Sequence, residues 1–408
     1  MALWLIEPHD PLIVRDGRPF GPNPGARARS VSFPYPSTVA GGFRSQAGKD
    51  ENGRFDRSLI PAVKQISIRG PLLVELLNDD NLQFLAPAPR DALLLRENDQ
   101  AAIYRRRLQP LTTPDGVLSD LPDGLSWLVG LPQPDLKKPA KEAPRYWYWE
   151  SHFVPWLLNP PNDVETVAVA DLGHNGPTAE WRVHVAIDPT SFTGADGALF
   201  ATNGLEFWQR PSDKEATLSH VKRLALATEV NNPPTLSIRQ GFAPWGGERR
   251  TMHWRKHETQ LPAIPVGLAD KIAQTGCCRL ILITPACFSE GWKPSWVLEP
   301  CFGVTPTLEA VIVNQAETIS GWNFELKPGT QTQIGPKPTR RLVSSGSVYF
   351  LRLDGDPTAV RRWVEGMWLA NVSDTEEDRL AGFGLTAVGF WDGTPQPIQI
   401  SSQEANHG

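Results

Sequence analysis

Four histidines, His9, His184, His253 and His257, lie close in sequence to basic residues. Two imidazoles straddling a phosphodiester can exchange protons with the attacking and leaving oxygens, so metal-independent RNA cleavage is one chemistry these residues could perform. Such a mechanism needs a general acid and a general base placed across the phosphodiester, a placement that belongs to the fold, and solvated or core histidines are the commoner outcome. Glu7, Asp10 and Asp16 lack the spacing of a metal motif, and neither a Gly-x-Ser-x-Gly elbow nor a His-Glu-x-x-His run occurs. Cys277, Cys278, Cys287 and Cys301 make no Cys-x-x-Cys pair, which argues for buried thiols in a reducing compartment rather than zinc. The pattern therefore gives no catalytic residue, no metal site and no cofactor.

Phosphate binding is the second chemistry on offer. Net charge is −5, so a nucleic-acid role has to come from local patches. Residues 15–44 hold Arg15, Arg18, Arg27, Arg29 and Arg44 against Asp16 alone. Residues 239–257 hold Arg239, Arg249, Arg250, Arg255 and Lys256 against Glu248, with Trp245 and Trp254 between them. A third basic stretch runs through Lys327, Lys337, Arg340 and Arg341. Arginine suits a phosphate because its planar fork bonds two oxygens at once, although solvated loops carry the same composition. Near the end, Gly382-Phe-Gly-Leu-Thr-Ala-Val-Gly389 is a glycine-rich turn. Such a turn can bring backbone N–H groups up to a polyanion, although a tight turn packed under a strand is the commoner use.

The elements that would position these residues read as follows. Ser347 to Leu353 is a run of β-formers, and Asp356-Pro357 then opens a helix with Val360, Trp363, Val364, Met367 and Trp368 on one stripe. The glycine turn and a last strand follow, giving the order strand, helix, turn, strand. Cys278–Thr284 reads as another strand of this sheet, paired with Val311–Val313 and Leu342–Leu353, with no recognisable helix after it. At the start, Ala2–Ile6 reads as a strand. After an irregular basic loop, Ser37 is placed to cap a short helix that buries Val39, Phe43 and Ala47. Arg182–Ile187 alternates like a strand with Val183, Val185 and Ile187 on one face, and Leu218, Val221, Leu224 and Ala225 are spaced for a short helix. Tyr146 to Trp149 and Phe153 to Trp156 form an aromatic cluster that suits core packing better than base stacking.

At 408 residues two domains are expected, and 39 prolines with 34 glycines point to short strands joined by long loops. No apolar stretch approaches a membrane span and the first apolar run is too short for a signal peptide, so the expectation is a cytoplasmic chain without membrane contact.

The run Pro8-His-Asp-Pro-Leu12, Arg15-Asp-Gly-Arg-Pro-Phe20 and Pro34-x-Pro-Ser-Thr-Val-Ala-Gly41 resembles the start of the third subunit of Cmr-type (type III-B) CRISPR effector complexes. Gly246-Gly-Glu-Arg-Arg250, Gly346-Ser-Val-Tyr-Phe350 and the Gly382 turn are similar to further segments of that family, a branch of the repeat-associated RNA-binding (RAMP) proteins. The resemblance runs from residue 1 to about 391. It implies an α+β fold of two ferredoxin-like (RRM-like) domains with long loop insertions: 1–215 with an insertion around 97–180, 216–398 with the glycine-rich loop, and a disordered tail at 399–408. It also implies a non-catalytic subunit that holds the five-prime tag of the guide RNA and docks onto the large palm-domain subunit and a backbone RAMP subunit. Carried over by position, the RNA-contacting residues are Arg15, Asp16, Arg18, Phe20, Ser37, Thr38, Arg44, Gly246, Gly247, Arg249, Arg250, Gly382, Phe383 and Gly384. A guide-processing endoribonuclease of the same fold and a protein-only adaptor are the alternatives.

Overall fold

The computed structural model describes residues 1–15, 27–28, 30–77, 81–96, 102–133, 135, 137–141, 143–159, 165–209, 221–323 and 335–399. The chain divides into two units. The first comprises Met1–Gln83, Gly176–Gln260 and Glu317–Leu342, and the second comprises Phe84–Asn175, Leu261–Ala316 and Val343–Gly408.

The first unit contains β1 (Ala2–Pro8), α1 (Pro36–Ala47), β2 (Ser67–Leu76), β3 (Thr178–Ile187), β4 (Gly194–Glu206), β5 (Lys222–Asn231), β6 (Gly241–Pro244) and β7 (Thr251–His257). Its sheet runs β2–β5–β1–β7–β6 with every neighbour antiparallel. Leu5 stands opposite Ala227 on one side and Arg255 on the other. Trp4 and Phe43 of α1 meet edge to face at 5.8 Å, and Phe43 and Trp254 of β7 at 5.0 Å, so α1 is seated by aromatic packing on β1 and β7. The helix starts at Pro36, which fits the first turn; Tyr35 occupies the N-cap without a side-chain bond, so the cap is not Ser37.

Residues 222–231, where the apolar spacing suggests a helix from Leu224 and Ala225, form the central strand β5. Leu224, Ala225, Leu226, Ala227 and Thr228 are all buried. A strand covered on both faces loses the alternation that would reveal it. This strand also moves the division of the chain: it lies between β1 and β2, so residues 222–260 belong with the N-terminal sheet rather than with a domain beginning at 216. The β3–β4 hairpin pairs His184 with Phe200, and Val183, Val185 and Ile187 do share a face. That face is exposed, at 69%, 49% and 58%.

The second unit carries α2 (Leu268–Thr275), β8 (Cys277–Leu282), β9 (Thr305–Ile312), β10 (Val348–Asp354), α3 (Pro357–Met367) and β11 (Thr386–Phe390). The sheet order is β9–β10–β8–β11, again antiparallel throughout. Thus β9 pairs with β10 and not with β8 as its apolar run suggests. Asp356 caps α3, accepting from the Thr358 and Ala359 N–H groups at 2.9 and 3.0 Å, and Val360, Trp363, Val364 and Met367 are buried against the sheet core. A cap of this kind stabilises a helix by about 1 kcal/mol. Between β8 and β9 there is only a 3-10 turn at Trp296–Leu298, while α2 packs beside α3 with Arg361 paired to Asp270.

Numbering four strands of each unit in chain order (β1, β2, β5, β7 and β8, β9, β10, β11) gives the same spatial order, 2-3-1-4. The architecture is α+β. The stretch expected as an insertion, 97–180, belongs as far as Asn175 to the second unit. Its aromatic cluster is core: Trp147, Trp149, Phe153 and Trp156 are at most 1% exposed. Trp156 of this segment bonds both members of a buried ion pair, Asp91 with Arg279 of β8. Trp156 Nε1 donates to Asp91 Oδ1 at 2.9 Å and Arg279 Nη2 donates to Trp156 O at 2.6 Å.

Candidate nucleic-acid interface

In the first unit, α1 and the turn joining β6 to β7 line an open cavity of about 360 Å³. Several local devices fix its walls. Trp245 N donates to Arg250 O at 2.9 Å, closing the turn, and Trp245 Nε1 donates to Thr38 O at 3.3 Å, pinning it to the helix. Gly247 N donates to Ile13 O at 2.7 Å. A side chain on Gly246 would put Cβ 2.6 Å from that same Ile13 oxygen, and its φ of +80° is one that glycine tolerates best. Gly42 lets the helix approach the two indoles, since a Cβ there would stand 2.8 Å from both Trp245 and Trp254. Gly246, Gly247 and Gly42 are thus the means by which helix and turn come close enough to form one pocket.

Of the residues singled out from the sequence, Thr38, Gly246 and Arg249 line this cavity. Gly247 supports the wall. Arg249 is exposed and, like Glu248, sits in the left-handed region at φ +51°, so the turn presents its guanidinium outward at a backbone cost. Among the described residues Arg249 has no acidic partner, and neither has Lys49 at the far end of the helix. The remaining basic residues nearby are committed. Arg250 Nη2 bonds Glu248 at 2.7 Å, Arg255 pairs with Glu7, Lys256 stands 5.5 Å over the Trp4 ring, and Arg44 Nη2 donates to Ile66 O at 3.0 Å. Ser37 sits half-buried in the first turn of α1 away from the lining. Arg15 is exposed beside an isolated bridge to Ser30. Asp16, Arg18 and Phe20 lie outside the described residues.

The Gly382 turn is built differently from the free anion cradle its glycines suggest. Gly382, Phe383 and Gly384 are all buried within the second unit. Their N–H groups donate to Arg379 O at 3.1 Å, Asp378 O at 3.0 Å and Pro285 O at 2.8 Å. Thr284 Oγ1 donates to Gly382 O at 2.8 Å and accepts from Leu385 N at 2.8 Å. Positive φ at Gly382 and Gly384, and the approach of Ser373 N to within 2.8 Å of a Cβ at Gly384, account for the glycines by packing alone. The expectation of unbonded amides at this turn does not hold.

The histidines are likewise spoken for by packing. His184 Nε2 lies 2.9 Å from Thr202 Oγ1 with its ring stacked on Phe200, and His9 and His253 flank the exposed Phe242 at 4.9 and 4.8 Å. Among the described residues no three His, Cys, Asp or Glu side chains gather as a metal site. Sequence reasoning singled out neither Gln46 nor Lys49 of the cavity wall. The legible signal was a pair of adjacent glycines inside a helix, a costly placement that invites a reason.

The family model described as CRISPR-associated protein (Cas_Cmr3) matches residues 4–391. No curated protein matches the chain. Among solved structures, a chain from "Cryo-EM structure of the Type III-B Cmr-beta bound to cognate target RNA and AMPPnP, state 1" is similar at 15% identity and a TM-score of 0.42, covering 85% of this chain and 86% of that one. A chain from "Cryo-EM structure of the Type III-B Cmr-beta bound to cognate target RNA" is similar at 14% identity, with the same score and coverage.

Proposed function

The chain belongs to the CRISPR-associated Cas_Cmr3 family, and on that premise we propose that it is an RNA-binding subunit of a type III-B CRISPR ribonucleoprotein. In this role it holds the five-prime, repeat-derived tag of the guide RNA and docks onto a large palm-domain subunit and a backbone subunit. The observation that carries the RNA-binding part is the cavity between α1 and the β6–β7 turn, where Lys49 and Arg249 are cations with no acidic partner among the described residues. Basic side chains left without carboxylates beside a concave polar wall suit a sugar-phosphate strand, and loops read unpaired bases. The exposed apolar face of the β3–β4 hairpin supports the assembly part, because contiguous apolar surface is usually covered by a partner.

We read each four-stranded set as a ferredoxin-like module on the strength of its 2-3-1-4 order. The first unit has a helix in its first crossover and none in its second, and the second unit the reverse. The protein holds RNA without cutting it, a reading supported by the engagement of His184 with Thr202 and Phe200 inside the hairpin. No helix among the described residues is long and apolar enough to cross a membrane, and the proposed place of action is the cytoplasm.

The test is a salt titration of binding to a tag-bearing single-stranded RNA, for the wild-type chain and for Lys49→Ala/Arg249→Ala. Two lost phosphate contacts should shrink the slope of log K against log salt by about 1.4. An unchanged slope removes the cavity from the interface. Cleavage of precursor RNA in EDTA that disappears on His184→Ala would overturn the non-catalytic reading.

A further inference from the structure

Three features of the cavity wall have no explanation within the fold. Gln46 is a polar residue only 9% exposed, yet among the described residues its amide has no hydrogen-bond partner. Its amide atoms are not fully enclosed, and the residue lines the cavity. An amide that bonds nothing in the protein and keeps some exposure at a pocket wall has its donor and acceptor open to a ligand or to water. Gly41, next on the same wall, is the second feature. Unlike Gly42, it has nothing within 4 Å of where a Cβ would stand, and its backbone is ordinary helix. A glycine in a helix interior is less favourable than alanine, so here it costs stability and serves no internal contact. What it does is leave the helix backbone bare toward the cavity. The third feature is the pair of cations already described, Lys49 and Arg249.

We propose that this cavity is a single-nucleotide pocket: Gln46 bonds the edge of one unpaired base, Gly41 lets the sugar-phosphate lie against the helix, and Lys49 and Arg249 balance the phosphate. A side-chain amide offers one donor and one acceptor side by side, the complement of a base edge. The cavity volume is at the small end of ligand pockets, which fits one nucleotide and not a stack of them. Trp245 contributes its ring and not its N–H, which is already donated to Thr38. The proposal rests on the RNA-binding reading and goes beyond it by naming the residue that confers base preference.

The experiment uses the full-length chain and short fluorescent homopolymers of adenylate, cytidylate and uridylate, read by anisotropy. Wild type should prefer one base. Gln46→Leu should lose about tenfold in affinity for the preferred homopolymer, within the range of one amide–base pair, and leave the poorest one unchanged. Gly41→Ala should weaken all three while its melting temperature stays level or rises, so a folding defect cannot imitate the result. If both variants bind every homopolymer as wild type does while wild type binds RNA well, the pocket assignment is wrong and the RNA-binding role stands. If wild type binds none of them, both are wrong. Free mononucleotides should compete weakly; displacement as strong as by an oligomer would make the ligand a soluble nucleotide and overturn the strand assignment.

Discussion

Asp91→Asn deletes one charge from the most enclosed ion pair of the second unit and leaves nearly everything else in place. Asp91 and Arg279 both have fully buried side chains. The guanidinium donates from Nε to Phe390 O at 2.9 Å and from Nη2 to Trp156 O at 2.6 Å, and its Nη1 meets the Asp91 carboxylate. An asparagine oxygen can still accept from Trp156 Nε1, so the shape and one hydrogen bond survive. What is lost is the counter-charge for Arg279 and for its neighbour Arg107. Burial, and then the positive charge of Arg279, pull the Arg107 pKa down to about 10, against the pull of Asp91 and Asp392. Breaking a fully buried pair by removing one partner costs about 3–5 kcal/mol, a large share of a domain stability of about 5–15 kcal/mol. Arg279→Met should cost a similar amount, because it strands Asp91 instead. The double variant Asp91→Leu/Arg279→Met removes both charges of the pair, so its cost should fall well below the sum of the single costs. Urea unfolding followed by the fluorescence of buried tryptophans, with hydrogen exchange at residues 84–96 and 277–282 to assign the transition, measures all three. A single-variant cost below about 1 kcal/mol, or strict additivity in the double variant, would refute the idea that this pair holds the 84–175 segment to the sheet.

Gly246→Ala should destabilise the first unit by about 1–3 kcal/mol, since its Cβ would collide with Ile13 O at a left-handed backbone position. Thermal melts compared with Gly41→Ala, which meets nothing, separate that clash from a general intolerance of helix and turn to methyl groups. Asp374 gives a pH prediction. Burial alone would raise its carboxyl, but N–H donation from Ser289, Ser295 and Trp296 at 2.7, 2.9 and 3.1 Å outweighs this and holds the pKa below its usual 3.8. A depressed acid contributes stability that is complete above 3.8 and is lost as pH falls through the lower folded value, so protection of those three amides relative to the free-peptide rate should fall only in that acid window. Asp374→Ala should show the lower protection throughout the range above that window; equal protection in wild type and variant near neutrality would show that the carboxylate does not hold the loop.

Much of the second sheet could be read from residues alone because its signals are local. Asp356-Pro357 followed by the Val360, Trp363, Val364 and Met367 stripe specifies where α3 starts and which side it buries, and the structure agrees. The basic character of 239–257 and the glycines around 246 were also visible, and they mark one wall of the cavity.

Other features were decided only by partners distant in the chain. β5 becomes a strand because β1 and β2 flank it on both sides, a fact its own apolar run does not contain. The 84–175 segment joins the second unit through Asp91 and Arg279, 188 positions apart. The Gly382 turn has a sequence suited to an anion but spends its amides on Asp378, Arg379 and Pro285, while Gln46, unremarkable in sequence, is left with an unbonded amide in a pocket. Composition and periodicity determine which groups can bond and which faces are apolar. Which of those groups find partners inside the protein, and which are left for something outside it, depends on pairings between segments that only the folded chain brings together.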